Sequence, residues 1–157
     1  MTVHLDPSLQ YRDGRLGQLL DWWRMQHAER GSLPGRRQFD PLAMPALLPN
    51  IYLVDIVPPD RYRWRLLGTD ITDMAARNST GRYLDEIYEP AAYANLVASF
   101  DAVKNRRLPM RSYGNYGFAG RGFIDFEAIE LPLAEDGETV DMVLGIVVRH
   151  GQQTAGT

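Results

Sequence analysis

The 157-residue sequence contains no cysteine and only three histidines. The missing thiol excludes disulfides, iron–sulfur clusters, cysteine-ligated zinc and every thiol-based reaction. The histidines His4, His27 and His150 are scattered along the chain. Three scattered imidazoles favour solvated side chains over a metal site or an acid–base pair. We therefore expect neither a metal nor another cofactor.

Long hydrophobic runs and an excess of basic residues are also missing. The longest apolar run, residues 142–148, is far shorter than the ~20 residues of a membrane span. The N-terminus carries Asp6, Arg12 and Asp13 where a secretion signal has an apolar segment. The net charge of −3 lacks the electrostatic signature of a nucleic-acid binder. We expect a cytoplasmic protein with no membrane and no nucleic-acid partner.

The length of the chain predicts a single domain with its own core. Residues 1–14 are polar and contain the turn signal Asp6-Pro7, so we expect an irregular N-terminal segment. Residues 15–150 carry the periodic patterns of the folded domain. Residues 151–157 have almost nothing to bury and are expected to fray.

Two longer helices are predicted. The first spans residues 15–30 and has one apolar face, formed by Leu16, Leu19, Leu20 and Trp23. The second spans residues 90–107, with Pro90 in its first turn and Pro109 beyond its end. Asp40 and Pro41 also predict the start of a short helix to about residue 48, which Pro45 limits to two turns.

Two strand-like runs flank a proline-rich turn. Residues 51–57 and 62–67 predict an antiparallel hairpin around residues 58–60. The first run is apolar on both faces except at Asp55, so we expect it to lie centrally in a sheet. The second run has Arg63 and Arg65 on one face, which suits an edge strand.

Three further strand-like runs close the domain. Residues 110–118, 123–133 and 140–149 predict a meander, with a tight turn at residues 119–122. The last run is apolar on both faces and should be central. Helices before and between antiparallel strands indicate an α+β fold, with the first helix on one face of the sheet and the middle helices on the other.

A series of short motifs follows the same order along the chain. The motifs are Leu20-Asp21-Trp22-Trp23-Arg24, Leu33-Pro34, Phe39-Asp40-Pro41, Leu48-Pro49-Asn50-Ile51-Tyr52-Leu53-Val54-Asp55, Tyr62-Arg63-Trp64-Arg65-Leu66-Leu67-Gly68-Thr69, Thr80-Gly81-Arg82, Leu131-Pro132-Leu133 and Asp136-Gly137. Together they resemble a PAS domain, and more closely the single-domain PAS proteins of alphaproteobacteria. The resemblance implies a five-stranded antiparallel sheet with an N-terminal helix and helices inserted between strands 2 and 3. It also implies a sensory or interaction role without catalysis.

Several known PAS chemistries do not suit these residues. Flavin photosensors that form a thiol adduct and coumaroyl photosensors both need a cysteine, which is absent. Haem in PAS sensors usually binds a histidine of the long helix, and residues 90–107 contain none. The PAS resemblance therefore leaves a non-covalent ligand or a protein partner.

A PAS cavity lies between the sheet and the middle helices, so aromatic side chains on that side are candidate ligand contacts. The candidates are Tyr62, Trp64, Tyr83, Tyr93, Tyr116 and Phe126. The alternative is that these rings only fill a core. Nearby acidic residues of one strand need basic partners, and the sequence favours a structural ion ladder over a carboxylate site. The members would be Asp125, Glu127 and Glu130 with Arg63, Arg65 and Arg111.

The first helix carries the adjacent residues Trp22 and Trp23, which point about 100° apart. One can pack on the sheet while the other contacts a partner. PAS proteins commonly dimerise through such flanking helices, so we expect a homodimer.

The favoured function is a stand-alone, non-catalytic sensory or interaction domain. It would bind a small molecule or protein and signal to a separate protein, such as a histidine kinase, because only seven residues follow the last strand. The alternative is a small enzyme with a cone-shaped cavity, similar to ketosteroid isomerase, using Asp55 or Asp125 with Tyr62 or Tyr116. A buried carboxylate with a raised pKa beside a cavity would favour the enzyme. A structural adaptor with a filled core is a third reading.

Overall fold

Six antiparallel strands and four helices make up the computed structural model, which describes residues 2–118 and 122–152. The strands are β1 (Thr2–Asp6), β2 (Ile51–Val57), β3 (Arg61–Leu67), β4 (Met110–Phe118), β5 (Gly122–Leu133) and β6 (Met142–Gln152). The helices are α1 (Gly14–Arg30), α2 (Thr69–Ala75), α3 (Leu84–Ile87) and α4 (Pro90–Arg106). The strand order is β1-β4-β5-β6-β2-β3, which confirms the α+β fold.

Local sequence signals placed most of these elements correctly. The β2–β3 hairpin turns at residues 58–60, β2 and β6 are central, and β3 is an edge strand. The Asp13 side chain caps α1 by accepting a hydrogen bond from the Arg15 N–H, and Gly31 ends the helix in a left-handed conformation. α4 begins at Pro90, as predicted.

The expected irregular N-terminus is wrong for its first residues, because Thr2–Asp6 forms β1 and makes the sheet six-stranded. β1 pairs with β4 over a register that places Val3 opposite Gly114. A Cβ at Gly114 would collide with the Thr2 carbonyl oxygen, and the positive φ of 156° also favours glycine. The close approach of β1 therefore depends on a glycine more than 100 residues away in sequence.

The short helix predicted from Asp40 is also wrong in its length. The Asp40 carboxylate caps a single 3₁₀ turn at Pro41–Ala43, and the next turn is a separate one at Leu48–Asn50. Pro45 lacks the N–H that a continuous helix needs. Residues 119–121 of the predicted turn and 153–157 of the predicted tail lie outside the described residues.

The sheet separates two hydrophobic clusters, as the sequence predicted. One face packs on α1, where Leu16, Leu20 and Trp23 meet Ile129 and Leu131 of β5. The other face packs on α4 and includes Val97, Phe100, Phe126 and Ala128 among its buried members. Odd-numbered residues of this part of β5 thus face α1 and even-numbered residues face α4. No helix within residues 2–118 and 122–152 is long and apolar enough to cross a membrane.

Candidate functional site

A cavity of about 400 Å³ lies between the sheet and helices α2 and α4. That volume is within the range of small-molecule sites, which are mostly apolar with a few placed polar groups. Its aromatic lining consists of Tyr52, Trp64, Tyr88, Phe100 and Tyr116. The charged lining residues are Glu130, on the sheet, and Arg77, an exposed residue just after α2.

Three hydroxyl groups converge on one oxygen of Glu130. Its Oε1 accepts hydrogen bonds from Tyr52 Oη at 3.1 Å, Ser99 Oγ at 3.1 Å and Ser112 Oγ at 2.9 Å. Its Oε2 is buried and has no hydrogen-bond partner within the described residues. A carboxylate oxygen has about two lone pairs, so Oε1 is saturated while Oε2 retains its full acceptor capacity.

The Tyr52–Glu130 contact spans three strands and depends on a glycine between them. Gly145 of β6 pairs with Tyr52 of β2 on one side and with Glu130 of β5 on the other. The Tyr52 ring lies across Gly145, and a Cβ there would collide with the ring. A glycine in the middle of an apolar strand is typical of such a close approach.

Burial dominates the electrostatics of this cavity. It raises the pKa of Glu130 to about 7, although the hydrogen bonds from Ser112, Tyr52 and Ser99 act in the opposite direction. Burial likewise raises the pKa of Tyr52, Tyr88 and Tyr116. The tyrosines are thus neutral near pH 7, where the Glu130 carboxyl group titrates.

Glu127 shows the contrasting arrangement on the α1 face of the same strand. Its carboxylate accepts hydrogen bonds from the Arg12 N–H at 2.8 Å, the Asp13 N–H at 3.0 Å and Arg111 Nε at 2.8 Å. Burial raises its pKa, but these donors together lower it below its ordinary value. The predicted ion pairing is thus present between Glu127 and Arg111. Glu130 has no ion pair within the described residues.

The six ring candidates from the sequence fall into two groups. Trp64 and Tyr116 line the cavity. Tyr62 donates a hydrogen bond to Asp101, Tyr83 lies under the Arg61 guanidinium, and Phe126 stacks behind Tyr116 at 4.2 Å between ring centroids. These three residues and the half-buried Tyr93 do not contribute to the cavity lining.

The tryptophans of α1 differ in exposure. Trp23 is buried, donates from Nε1 to the Pro132 carbonyl at 2.9 Å and stacks on His27. Trp22 is half-buried and meets Phe39 edge-on at 5.4 Å. Of the two proposed partner contacts, only Trp22 is therefore accessible at the surface of this chain.

The aspartate–tyrosine pair of the alternative enzyme is not assembled. Asp55 forms an ion pair with Arg63 at 3.1 Å outside the cavity lining. Asp125 pairs in register with Asn115, whereas Tyr116 is opposite Ile124, so Asp125 and Tyr116 face opposite sides of the sheet. Within the described residues no group of three or more His, Asp or Glu side chains could hold a metal ion.

Sequence reasoning missed Tyr52, Ser99, Ser112 and Gly145, and assigned Glu130 to an ion ladder. One available signal was the single glycine in the apolar run of β6. Another was the position of Glu130 between the apolar residues Ile129 and Leu131. The pairing of β5 with the central strand β6 was needed to combine these two signals.

Comparisons with known proteins identify the fold. A family model described as PAS domain matches residues 14–148. The Rhodobacter sphaeroides LOV protein is similar in structure, with a TM-score of 0.51 and 15% identity over 67% of this chain and 61% of that one. An RNA-binding Light-Oxygen-Voltage receptor has a TM-score of 0.53 and 10% identity over 94% of this chain and 38% of that one. No curated protein sequence matches.

These structural likenesses show a shared fold. RNA binding is stated of the second receptor, and at 10% identity the likeness to it shows the fold alone. The thiol adduct of flavin photosensors does not fit this chain, because it has no cysteine. Sensing is the typical role of the fold, and the family match covers most of the sequence. The chain belongs to the PAS domain family.

Proposed function

We propose that this PAS domain is a non-catalytic sensor that binds a small molecule in the α4-side cavity and signals to a separate protein. The observation that carries the proposal is a mostly apolar cavity of about 400 Å³ whose lining includes Glu130, with its Oε2 unpartnered within the described residues. Burying a polar atom without a partner is unfavourable, so a ligand that supplies the missing hydrogen bond gains affinity.

The cavity also contacts an edge strand of the sheet. Val3 lines the cavity and belongs to β1, an edge strand. The outer edge of β1 is available for pairing with another chain, and Leu5 and Tyr113 are each about two-fifths exposed nearby. A ligand that contacts Val3 would bias the position of β1 by a population shift. The partner would be a histidine kinase or another signalling protein, and Trp22 would contribute to a homodimer.

A matched pair of α4 variants tests ligand binding. Ala92 is a partly exposed residue of the cavity lining, whereas Ala94 is exposed and does not line it. The probes are toluene, phenol, benzamidine and benzoate, measured by calorimetry and thermal shift. We expect at least one probe to bind the wild type and Ala94→Trp but not Ala92→Trp. Failure of all four probes to bind the wild type would contradict the proposed function.

Hydrogen exchange tests the signalling route in the same proteins. A bound probe should change the exchange of backbone amides in β1, because Val3 contacts the cavity. Unchanged β1 exchange with the probe bound would refute this route while leaving ligand binding intact.

The raised pKa of Glu130 supports a second candidate, a proton-transfer enzyme. Glu130 would act as the base, because its pKa of about 7 matches the requirement for general acid–base catalysis near neutral pH. Tyr52 Oη, 3.1 Å from Oε1, would orient it. Solvent deuterium exchange into an enolisable ketone such as cyclohexanone, lost in Glu130→Gln, would establish this candidate. Exchange at the uncatalysed rate would reject it for that substrate class.

A further inference from the structure

Glu130 presents a ligand with one defined acceptor. Its side chain is 3% exposed, and Oε1 is held by three hydroxyl donors that fix the orientation of the carboxyl group. Glu130 belongs to the cavity lining, and its buried Oε2 lacks a partner within the described residues. Buried acceptors in proteins are almost always hydrogen-bonded, and a ligand with a donor group would satisfy this oxygen.

The surroundings of Oε2 favour a positively charged donor. No basic side chain forms an ion pair with Glu130 in the part of the chain described, and Arg111 is engaged by Glu127 on the opposite face. The rings of Tyr52, Trp64 and Phe100 surround the same space. Aromatic faces attract cations, and an ionised carboxylate forms its strongest hydrogen bonds with cationic donors.

We propose, building on the proposed sensory function, that the cavity binds an organic cation with N–H donors, an amine or amidine on an apolar body, through Glu130 Oε2. The cationic group would donate to Oε2 while the apolar body contacts Ile71, Met74 and Leu96. The hydroxyls on Oε1 then position the carboxylate and leave Oε2 to the ligand.

The other groups that face the cavity carry no competing negative charge. They are Tyr52 from β2, Tyr116 from β4, Tyr88 between α3 and α4, and Arg77 after α2. The three tyrosines are neutral near pH 7, and burial raises their pKa further above its ordinary value of about 10. Arg77 is exposed, and its guanidinium lies 5.7 Å from the Tyr88 ring centroid. Glu130 is thus the acidic group of the described lining.

The test compares benzamidine, a planar cation, with neutral toluene and phenol and with anionic benzoate. Calorimetry at pH 8 should show benzamidine binding to the wild type most tightly of the four. Glu130→Gln keeps the size of the side chain and removes its charge. It should weaken benzamidine binding about 10- to 100-fold, the range for a hydrogen bond to a charged group, and leave toluene binding unchanged.

The wild type alone gives a second readout, which does not depend on the folding of a variant. Benzamidine selects the ionised carboxylate, so its affinity should fall up to about tenfold per pH unit below pH 7, while toluene affinity stays flat. Equal binding of phenol and benzamidine, tighter binding of benzoate, or a flat benzamidine profile would overturn the cation proposal. Binding of toluene or phenol through the Ala92-lined cavity would still support the sensory function, whereas no probe binding would refute both.

Discussion

Glu127 and Glu130 lie three residues apart on β5, are 1% and 3% exposed, and face opposite sides of the sheet. Backbone N–H groups and Arg111 surround the first, and its pKa is lowered. Hydroxyl groups alone surround the second, and its pKa is raised to about 7. Similar exposure thus accompanies opposite pKa shifts. Glu130 lies deeper in the molecule, and its hydroxyl donors compensate for lost water less fully than the cationic and backbone donors of Glu127 do. The α1 face holds the ion pair of Glu127 with Arg111. The α4 face holds Glu130, whose Oε2 has no hydrogen-bond partner within the described residues.

The largest expected effect comes from breaking the ion pair between Arg111 and Glu127. Arg111→Met leaves Glu127 and Asp6 without their guanidinium partner, and should lower the free energy of unfolding by about 4 kcal/mol, since one buried charge loses its counterion. Urea unfolding measures the change. Arg61→Met, which removes a surface ion pair to Asp85, is the control and should have only a small effect. Similar losses for the two variants would show that the Arg111 pair is not structural.

The pH dependence of stability should distinguish the two carboxylates next. The folded state binds the Glu130 proton up to pH about 7, whereas the unfolded chain releases it near the ordinary glutamate pKa of 4.5. The contribution of Glu130 to the free energy of unfolding is thus fully present below about pH 4.5. It falls by about 3 kcal/mol as the pH rises to about 7.

Subtracting the profile of Glu130→Gln isolates this contribution in chemical unfolding experiments. The variant should be more stable than the wild type at pH 8 and should lack the decline between pH 4.5 and 7. A constant difference between the two proteins across that range would contradict the burial of an uncompensated carboxyl group.

A smaller effect is expected from filling the space that Gly145 leaves for the Tyr52 ring beside Glu130. Gly145→Ala places a methyl group where the Tyr52 ring lies, so the ring must move away from Oε1. Overpacking of this kind costs about 2 kcal/mol. Gly14→Ala, where a methyl group meets open space, is the matched control for thermal unfolding. Equal melting temperatures for the two variants would show that Gly145 does not position Tyr52.

The smallest effect comes from removing one of the three hydroxyl donors. Ser112→Ala deletes a hydrogen bond that lowers the pKa of Glu130, so this pKa should rise further above 7. The stability loss should be about 1 kcal/mol, as for a single hydrogen bond. Infrared titration of the carboxyl band measures the shift, and a lowered pKa would contradict the assigned donor role.

Local patterns predicted most of the fold but little of the site. The Pro58–Asp60 turn and the start of α4 at Pro90 depend on their immediate neighbours, so the sequence reveals them directly. β1 was missed because its partner, residues 111–115 of β4, lies more than 100 residues away and the apolar face of Thr2–Asp6 has only two members, Val3 and Leu5. Glu130 was misassigned for the same reason, since its four site partners come from β2, α4, β4 and β6. The register of the sheet and the packing of α4 on it bring them together.

The central claim, that Glu130 is a buried and unpaired carboxyl group in a ligand cavity, has a direct test in ¹³C NMR. The Glu130 Cδ resonance can be assigned by its loss in Glu130→Gln and followed through a pH titration. The midpoint should lie near 7 for the free protein and move downward when benzamidine binds. A midpoint at or below 4.5, unchanged by benzamidine, would mean that Glu130 is compensated as fully as Glu127 and would contradict the account.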